Sequence, residues 1–392
     1  MPRSEIRRAR IAATLVFFLT GAVFAAWSTR LPAIQQELGL SSGALAVAIL
    51  GLEAGAIAGL PAGGAIVART GSGTALRVAF VAYPLGLLAV GLAGGIATLA
   101  LALAAMAVAN SVVDVAMNAQ GVELERRCGR PLLSGMHAGH SAGLAAGALA
   151  GTLAAAAGVP VRAHFAATAA AGVAAGLLAT RELVRERPAA AERRFAWPRG
   201  RLALLGLVAF CAFLLDGAAY NWIAVHVRSE RGAAPGLAAA AFMLYALTVA
   251  GGRLAGDRLV VRLGRVVVVR GSGVVAAAGA AIAVVLPGVA PALAGWALFG
   301  LGSAAIAPTV LGAAPAVSRV APSVAIAAVT TVGYLGSFSA PPAIGVLAGA
   351  TGLDAALGLV AGGAAVAMLV TAPALRGTSR ARGPSPHTAT TS

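Results

Sequence analysis

Apolar blocks of roughly helical span length follow one another along the entire chain, separated by short connections that are polar or bear arginine. A helix needs about 20 apolar residues to cross the hydrocarbon core of a bilayer. Twelve blocks meet that length, centred near Thr20, Gly55, Leu85, Ala107, Leu144, Gly172, Leu214, Leu244, Ala277, Leu301, Leu335 and Leu359. Several are rich in Ala and Gly and apolar all round, so their boundaries are soft by a few residues. The opening MPRSEIRRARIAATLVFFLTG resembles a signal peptide, but its apolar run continues to Trp27 with no convincing cleavage site, so it reads as the first span. Pro84, Pro308, Pro341 and Pro342 fall inside blocks, where membrane helices tolerate them as bends.

Composition agrees. Of 392 residues 59% are hydrophobic and 11% charged, with mean hydropathy +0.88, values of a multispanning membrane protein. The net charge of +16 does not indicate a nucleic-acid partner, because the arginines sit between apolar blocks and not on one soluble face. All 29 basic residues are Arg. With the N-terminus inside and the connections assigned alternately, all but Arg30, Arg162, Arg228 and Arg231 fall on the inner side. That asymmetry predicts twelve spans with both termini cytoplasmic. The basic stretch 181–201 divides the chain into a six-helix bundle (1–180) and a second one (202–375), and the Pro/Ser/Thr/Arg-rich tail 376–392 is predicted to be disordered. Two cysteines, Cys128 and Cys211, without a CxxC, predict neither disulfide nor zinc.

Within this apolar background the stretch 110–151 stands out. Asn110, Asp114 and Asn118 recur every four residues and share one helical face. A charged hairpin is predicted from Glu123 to Arg130. After it, Gly135, Gly139, Gly143, Gly147 and Gly151 recur every four residues, a face on which another helix can pack closely, and His137 and Ser141 point away from it. The chain also contains a repeat. GLPAGGAIVARTGSG from Gly59 aligns without gaps to GRLAGDRLVVRLGRV from Gly252, an offset of 193 residues, with six of 15 positions identical. Parallel halves with binding near the midplane between them are a known transporter plan.

The second copy, Gly252–Arg265, resembles the loop signature of the major facilitator superfamily, and with the twelve blocks and central basic loop the resemblance covers essentially the whole chain. The runs Asp114–Gln120, Gly129–Pro131 and Met136–Gly143 are similar to a bacterial branch of it near the fucose-permease-type sugar/proton symporters. The resemblance implies an all-α membrane fold of twelve helices in two six-helix pseudo-repeats, working by alternating access in the bacterial cytoplasmic membrane. It also implies a gating role for Arg69, Asp257, Arg258 and Arg262. The first copy has Gly64 and Ala65 where the second has Asp257 and Arg258, which weakens that role in the N-terminal half. Topology alone would also account for these arginines.

Three carboxylates fall inside predicted spans, Glu53, Asp114 and Asp216. An ionised group at the bilayer centre costs about 2.5–3.5 kcal/mol on insertion scales, so each needs a compensating role. Asp114, flanked by Asn110 and Asn118, is the candidate for proton coupling, with Glu53 and His137 as helpers; His137 is taken to share its cavity, and an unperturbed imidazole titrates near neutral pH. The alternative for Asp114 is a hydrogen-bonded bridge between helices. Candidate solute-binding residues are Asn110, Asn118, Ser141, Asp216, Tyr220, Trp222, Thr330 and Tyr334. Trp222 either stacks on a sugar ring or anchors at the membrane interface. Tyr245, Trp296 and Ser303 are further sources of rings and hydroxyls. His137 and His140 lack a third ligand at a persuasive spacing, so no metal is expected. No HExxH, GxSxG or P-loop pattern is present, so an intramembrane protease, an esterase and an ATP-driven pump have no support; the transporter reading expects no enzyme activity and no cofactor. The expected function is proton-coupled symport of a small polar solute. Antiport of a metabolite or drug, or a membrane sensor that transports nothing, are the alternatives.

Overall fold

The computed structural model describes residues 3–129, 132–184, 198–317 and 322–376. Residues 185–197 of the predicted linker, 377–392 of the tail, and Arg130 and Pro131 of the predicted hairpin lie outside the described residues, as does the side chain of Asp257.

The described residues are helical almost throughout. The elements are α1 (Arg3–Glu37), α2 (Ser42–Thr70), α3 (Ser72–Gly91), α4 (Ile96–Cys128), α5 (Leu133–Ala156), α6 (Val161–Thr180), α7 (Arg201–Ser229), α8 (Pro235–Leu263), α9 (Arg265–Val285), α10 (Val289–Ser303), its short continuation α11 (Ile306–Leu311), α12 (Pro322–Thr351) and α13 (Leu353–Thr371). All twelve predicted centres lie in these helices, the tenth in an α10–α11 rod interrupted at Ala304 and Ala305. Eleven helices among the described residues are long and apolar enough to cross a membrane. The 24-residue α5 is not one of them; its first half carries His137, His140 and Ser141. Large apolar side chains such as Val78, Leu101, Val346 and Val366 lie open on the outer surface. A surface of that kind belongs in lipid, not water.

One expectation about α4 is corrected. Glu123–Cys128 is not a hairpin but the last turns of α4, held by Glu123 pairing with Arg126 and Arg127; the turn comes at Gly129, φ 65°. Glu125 Oε1 then accepts from the backbone N–H of Leu132 and Leu133 at 2.7 and 2.9 Å, capping the start of α5.

The 193-residue repeat is visible as geometry. Helices α2 and α8 start 193 residues apart and each has 29 residues. Gly71 and Gly264 close them with nearly equal dihedrals, φ 79° and ψ 152° against φ 81° and ψ 155°. Only glycine adopts that region at low cost. At the opposite end, Gly39 and Gly232 turn the chain with φ 61° and 62°. The bundle therefore has a Gly71/Gly264 end and a Gly39/Gly232 end.

Small residues set the helix contacts. A Cβ on Gly51 or Gly55 of α2 would stand 2.1 or 2.2 Å from a backbone oxygen of α4, at Ala100 or Ala104. Gly143 of α5 meets the Phe18 carbonyl of α1, and Gly336 of α12, 193 residues later, meets the Phe210 carbonyl of α7; an added Cβ would come within 1.8 and 2.0 Å. Such backbone approach is what makes helices associate in lipid, where no hydrophobic force drives them together. Gly135 has no neighbour within 4 Å and lies outside the glycine face predicted for it.

Candidate functional site

The polar side chains of the middle turns converge between the two halves. On α4 the predicted stripe forms: Asn118 Nδ2 donates to Asp114 at its carbonyl (2.8 Å) and its Oδ1 (3.2 Å), and Asn110 Oδ1 is buried without a hydrogen-bond partner. Tyr334 on α12, in the other half, lies within electrostatic reach of Asp114. It stacks on Phe338 (5.8 Å) and meets Phe213 edge-on (5.6 Å), while Thr330 is half-buried one turn earlier on the same helix.

Asp216 on α7 heads a second cluster. Its Oδ1 accepts from the Tyr245 hydroxyl of α8 at 2.7 Å. Tyr220, one turn further along α7, packs edge-on against Tyr245 (6.0 Å) and against Phe24 of α1 (5.3 Å), which joins the halves. Arg253 of α8 acts electrostatically on Asp216, Tyr220 and Tyr245, and on His137 and His140 of α5. Its Nη1 reaches Ser141 Oγ at 3.5 Å. Apolar block lengths alone put Arg253 in the inner connection after the eighth block. It belongs instead inside α8, ten residues before the helix ends, because α8 runs on past the apolar block to Leu263.

The other candidates have these surroundings. His137 is exposed, packs edge-on to Phe17 at 5.0 Å and falls in the field of Arg253 rather than beside Asp114. Glu53 is buried on α2. Trp222 is completely buried with its Nε1 unpartnered, which rules out a lipid-facing interfacial anchor. Trp296 is spent on packing, donating through Nε1 to His226 Nδ1 at 3.1 Å, and Ser303 bonds the Gly300 carbonyl. Arg69, Arg258 and Arg262 are exposed near the Gly71/Gly264 end. Among the described residues no group of three His, Cys, Asp or Glu side chains is placed to hold a metal.

An MFS-type transporter of Yersinia pestis is 30% identical to this chain over 353 residues, covering 90% of the chain and 92% of the relative. The chain belongs to the major facilitator superfamily. No protein-family model matches it. Among solved structures, a variant of the nucleoside transporter NupG superposes with a TM-score of 0.75 at 13% identity, covering 94% of this chain and 100% of that one. The D-xylose-proton symporter also gives 0.75, at 15% identity, with 95% and 98% covered.

This superfamily member is a transporter and not an enzyme, so the polar midsection is the place to look for its solute. Its two halves touch closely at one end. A Cβ on Gly345 of α12 would stand 1.9 Å from Ala46 Cβ of α2, and one on Gly236 of α8 would stand 2.7 Å from Ala156 Cβ of α5. Arg228 also bonds Gln36 there, at 3.4 Å. All three contacts lie at the Gly39/Gly232 end. Toward the other end the described polar link across α5 and α8 is the long Arg253–Ser141 approach. A small cleft opens below it in the second half, lined by Arg253, Gly256, Val260, Arg265, Ala305, Pro308, Thr309 and Gly312.

Proposed function

We propose that this transporter carries a small polar solute together with protons by alternating access. It would cross the bacterial inner membrane twelve times with both termini in the cytoplasm, and residues 1–180 and 202–375 would rock as two bundles about the midsection. The observation that carries the reading is a carboxylate at mid-helix in each half, Asp114 and Asp216, each hydrogen-bonded to a neutral side chain, with Arg253 acting on Asp216 through the field alone. Such a carboxylate can take up and release a proton as its access changes sides. In this reading Asp114 couples the proton, with Glu53 and His137 as secondary groups. The solute meets Asn110, Asn118 and Ser141 from one half and Asp216, Tyr220, Thr330 and Tyr334 from the other. Trp222, being buried, shapes the wall behind Tyr220. Arg69, Asp257, Arg258 and Arg262 would close the cytoplasmic side in the opposite state; with the termini inside, the contacts at the Gly39/Gly232 end would correspond to an inward-facing state.

Proton movement in proteoliposomes tests this, with wild type beside Asp114→Asn and a panel of pentoses, hexoses and nucleosides, the classes nearest to those in the names of the structural neighbours. Alkalinisation of the outer medium on solute addition marks symport, and acidification marks antiport. Coupling that survives in Asp114→Asn would pass the role to Asp216 or Glu53. A carrier that moves solute with no pH change in either direction would sink proton coupling altogether.

A further inference from the structure

At the Gly39/Gly232 end of the second half an arginine with a buried side chain has its charge met by an acid, although its Nε, like that of Arg30 in the first half, is buried without a partner. Arg231 grips Asp354 with both arms, Nη2 to Oδ1 at 2.7 Å and Nη1 to Oδ2 at 3.0 Å, and donates to the Ala283 and Val284 carbonyls at 3.0 and 2.7 Å. His226 Nε2 lies 2.7 Å from Asp354 Oδ1. The Trp296 N–H can only donate, so His226 Nδ1 accepts it and Nε2 carries the proton directed at Asp354. Asp354 is the second residue of α13.

The corresponding junction of the first half, late α1 against the first turn of α6, holds the same kinds of residue at other positions of the repeat (Leu38 and Ala33 stand 193 residues before Arg231 and His226) and without the acid. Arg30 is only 5% exposed; its Nη2 donates to the Val159 carbonyl, while Nε and Nη1 are buried with no partner. His164, in the first turn of α6, lies within electrostatic reach of Arg30 and has a buried, unpartnered Nδ1. Trp27 precedes Arg30 by three residues, on the same side of α1, and its Nε1 is also orphaned. The position 193 residues before Asp354 is Val161. The acid that acts on Arg30 is Glu37, exposed and two turns further along α1.

A guanidinium stays protonated in any protein. Each buried donor left without a partner is destabilising, and an unpaired buried charge more so. The first-turn N–H groups of α6 add positive potential on the same side. We infer that Arg30 and His164 hold an oxyanion of the phosphate class between α1 and the first turn of α6, supplying the charge that Asp354 supplies in the other half. The ligand is free phosphate or the phosphodiester of a lipid headgroup. The site is separate from the midsection and stands whether or not the solute is coupled to protons.

Melting of the purified full-length chain in detergent tests it, with inorganic phosphate in one arm and dihexanoyl phosphatidylglycerol below its micellar concentration in the other. A saturable rise on the order of 5 °C is expected with one probe. It should vanish in Arg30→Gln, and in Val161→Asp, which builds in the missing carboxylate. A response to phosphate identifies a free oxyanion, and one to the lipid alone identifies a headgroup. If Arg30→Gln does not fold, Arg30→Lys decides: a point charge in place of the fork should weaken apparent affinity about tenfold. The proposal is overturned if neither probe shifts wild type, or if the variants respond as wild type does.

Discussion

Asp114 illustrates how much one side chain's surroundings matter. It is held by its own helix through Asn118 and faced by Tyr334 from the other half, so replacing it with Asn preserves shape and removes only the titrating proton. Asp114→Asn is expected to retain downhill solute exchange and lose gradient-driven accumulation, measured as uptake with and without an imposed proton gradient. Tyr245→Phe removes the hydroxyl that Asp216 accepts from at 2.7 Å. Leaving this half-buried acceptor short of a partner costs about 1–3 kcal/mol, so the apparent KM should rise about 5- to 150-fold if Asp216 touches solute. An unchanged KM would remove Asp216 from the site. The stripe of Asn110, Asp114 and Asn118 was legible in the sequence because a four-residue period is local. Arg253 was not, because its meaning depends on where α8 ends and on which side chains of α5 and α7 face it.

At the scale of elements, the glycine periods decide how closely helices approach. Gly143 and Gly336 occupy equivalent places in the two halves, each against a backbone carbonyl of the neighbouring helix. A methyl at either has no flexible neighbour to displace, so the helices must separate. Gly143→Ala and Gly336→Ala should each lower stability by about 1–3 kcal/mol, seen as lower melting temperatures in detergent. Gly135→Ala serves as the control, since nothing lies within 4 Å of its added Cβ. The sequence predicted the face but included Gly135, because spacing cannot tell where a partner helix stops. The Asp354 cluster was illegible for a similar reason: His226 and Asp354 are 128 positions apart and carry no shared motif. Asp354→Asn would leave Arg231, 8% exposed, without its counter-charge. With Asp354 itself 38% exposed, solvent softens the loss to on the order of 2 kcal/mol, again readable as a drop in melting temperature.

For the whole molecule, the proposed alternating access makes the contacts between halves the setting of a conformational equilibrium. They are concentrated at the Gly39/Gly232 end, where Gly345 meets Ala46 and Gly236 meets Ala156. Bulk placed there opposes this state and leaves each half intact. Gly345→Val is expected to shift the population toward the state open at that end. With about 2 kcal/mol of steric cost the ratio changes about 30-fold. Spin-label distances between α5 and α8 at that end should lengthen in Gly345→Val and stay unchanged in Gly143→Ala. Equal distances in both variants would mean that these contacts do not set the equilibrium.

The sequence by itself determined the class, the helices and the internal repeat. Apolar run length, arginine placement and a 193-residue period are properties of the chain read along itself, and lipid imposes helix on any such run. Even the paired turns were written locally, since the φ values at Gly71 and Gly264 need glycine wherever they occur. Only the tertiary structure decided which polar residues share a cavity, that Trp222 and Trp296 are packed inside, that Arg231 has its acid and that Arg30 does not. Those outcomes depend on side chains from different helices meeting at one depth, and no period along a single helix encodes its neighbour's register.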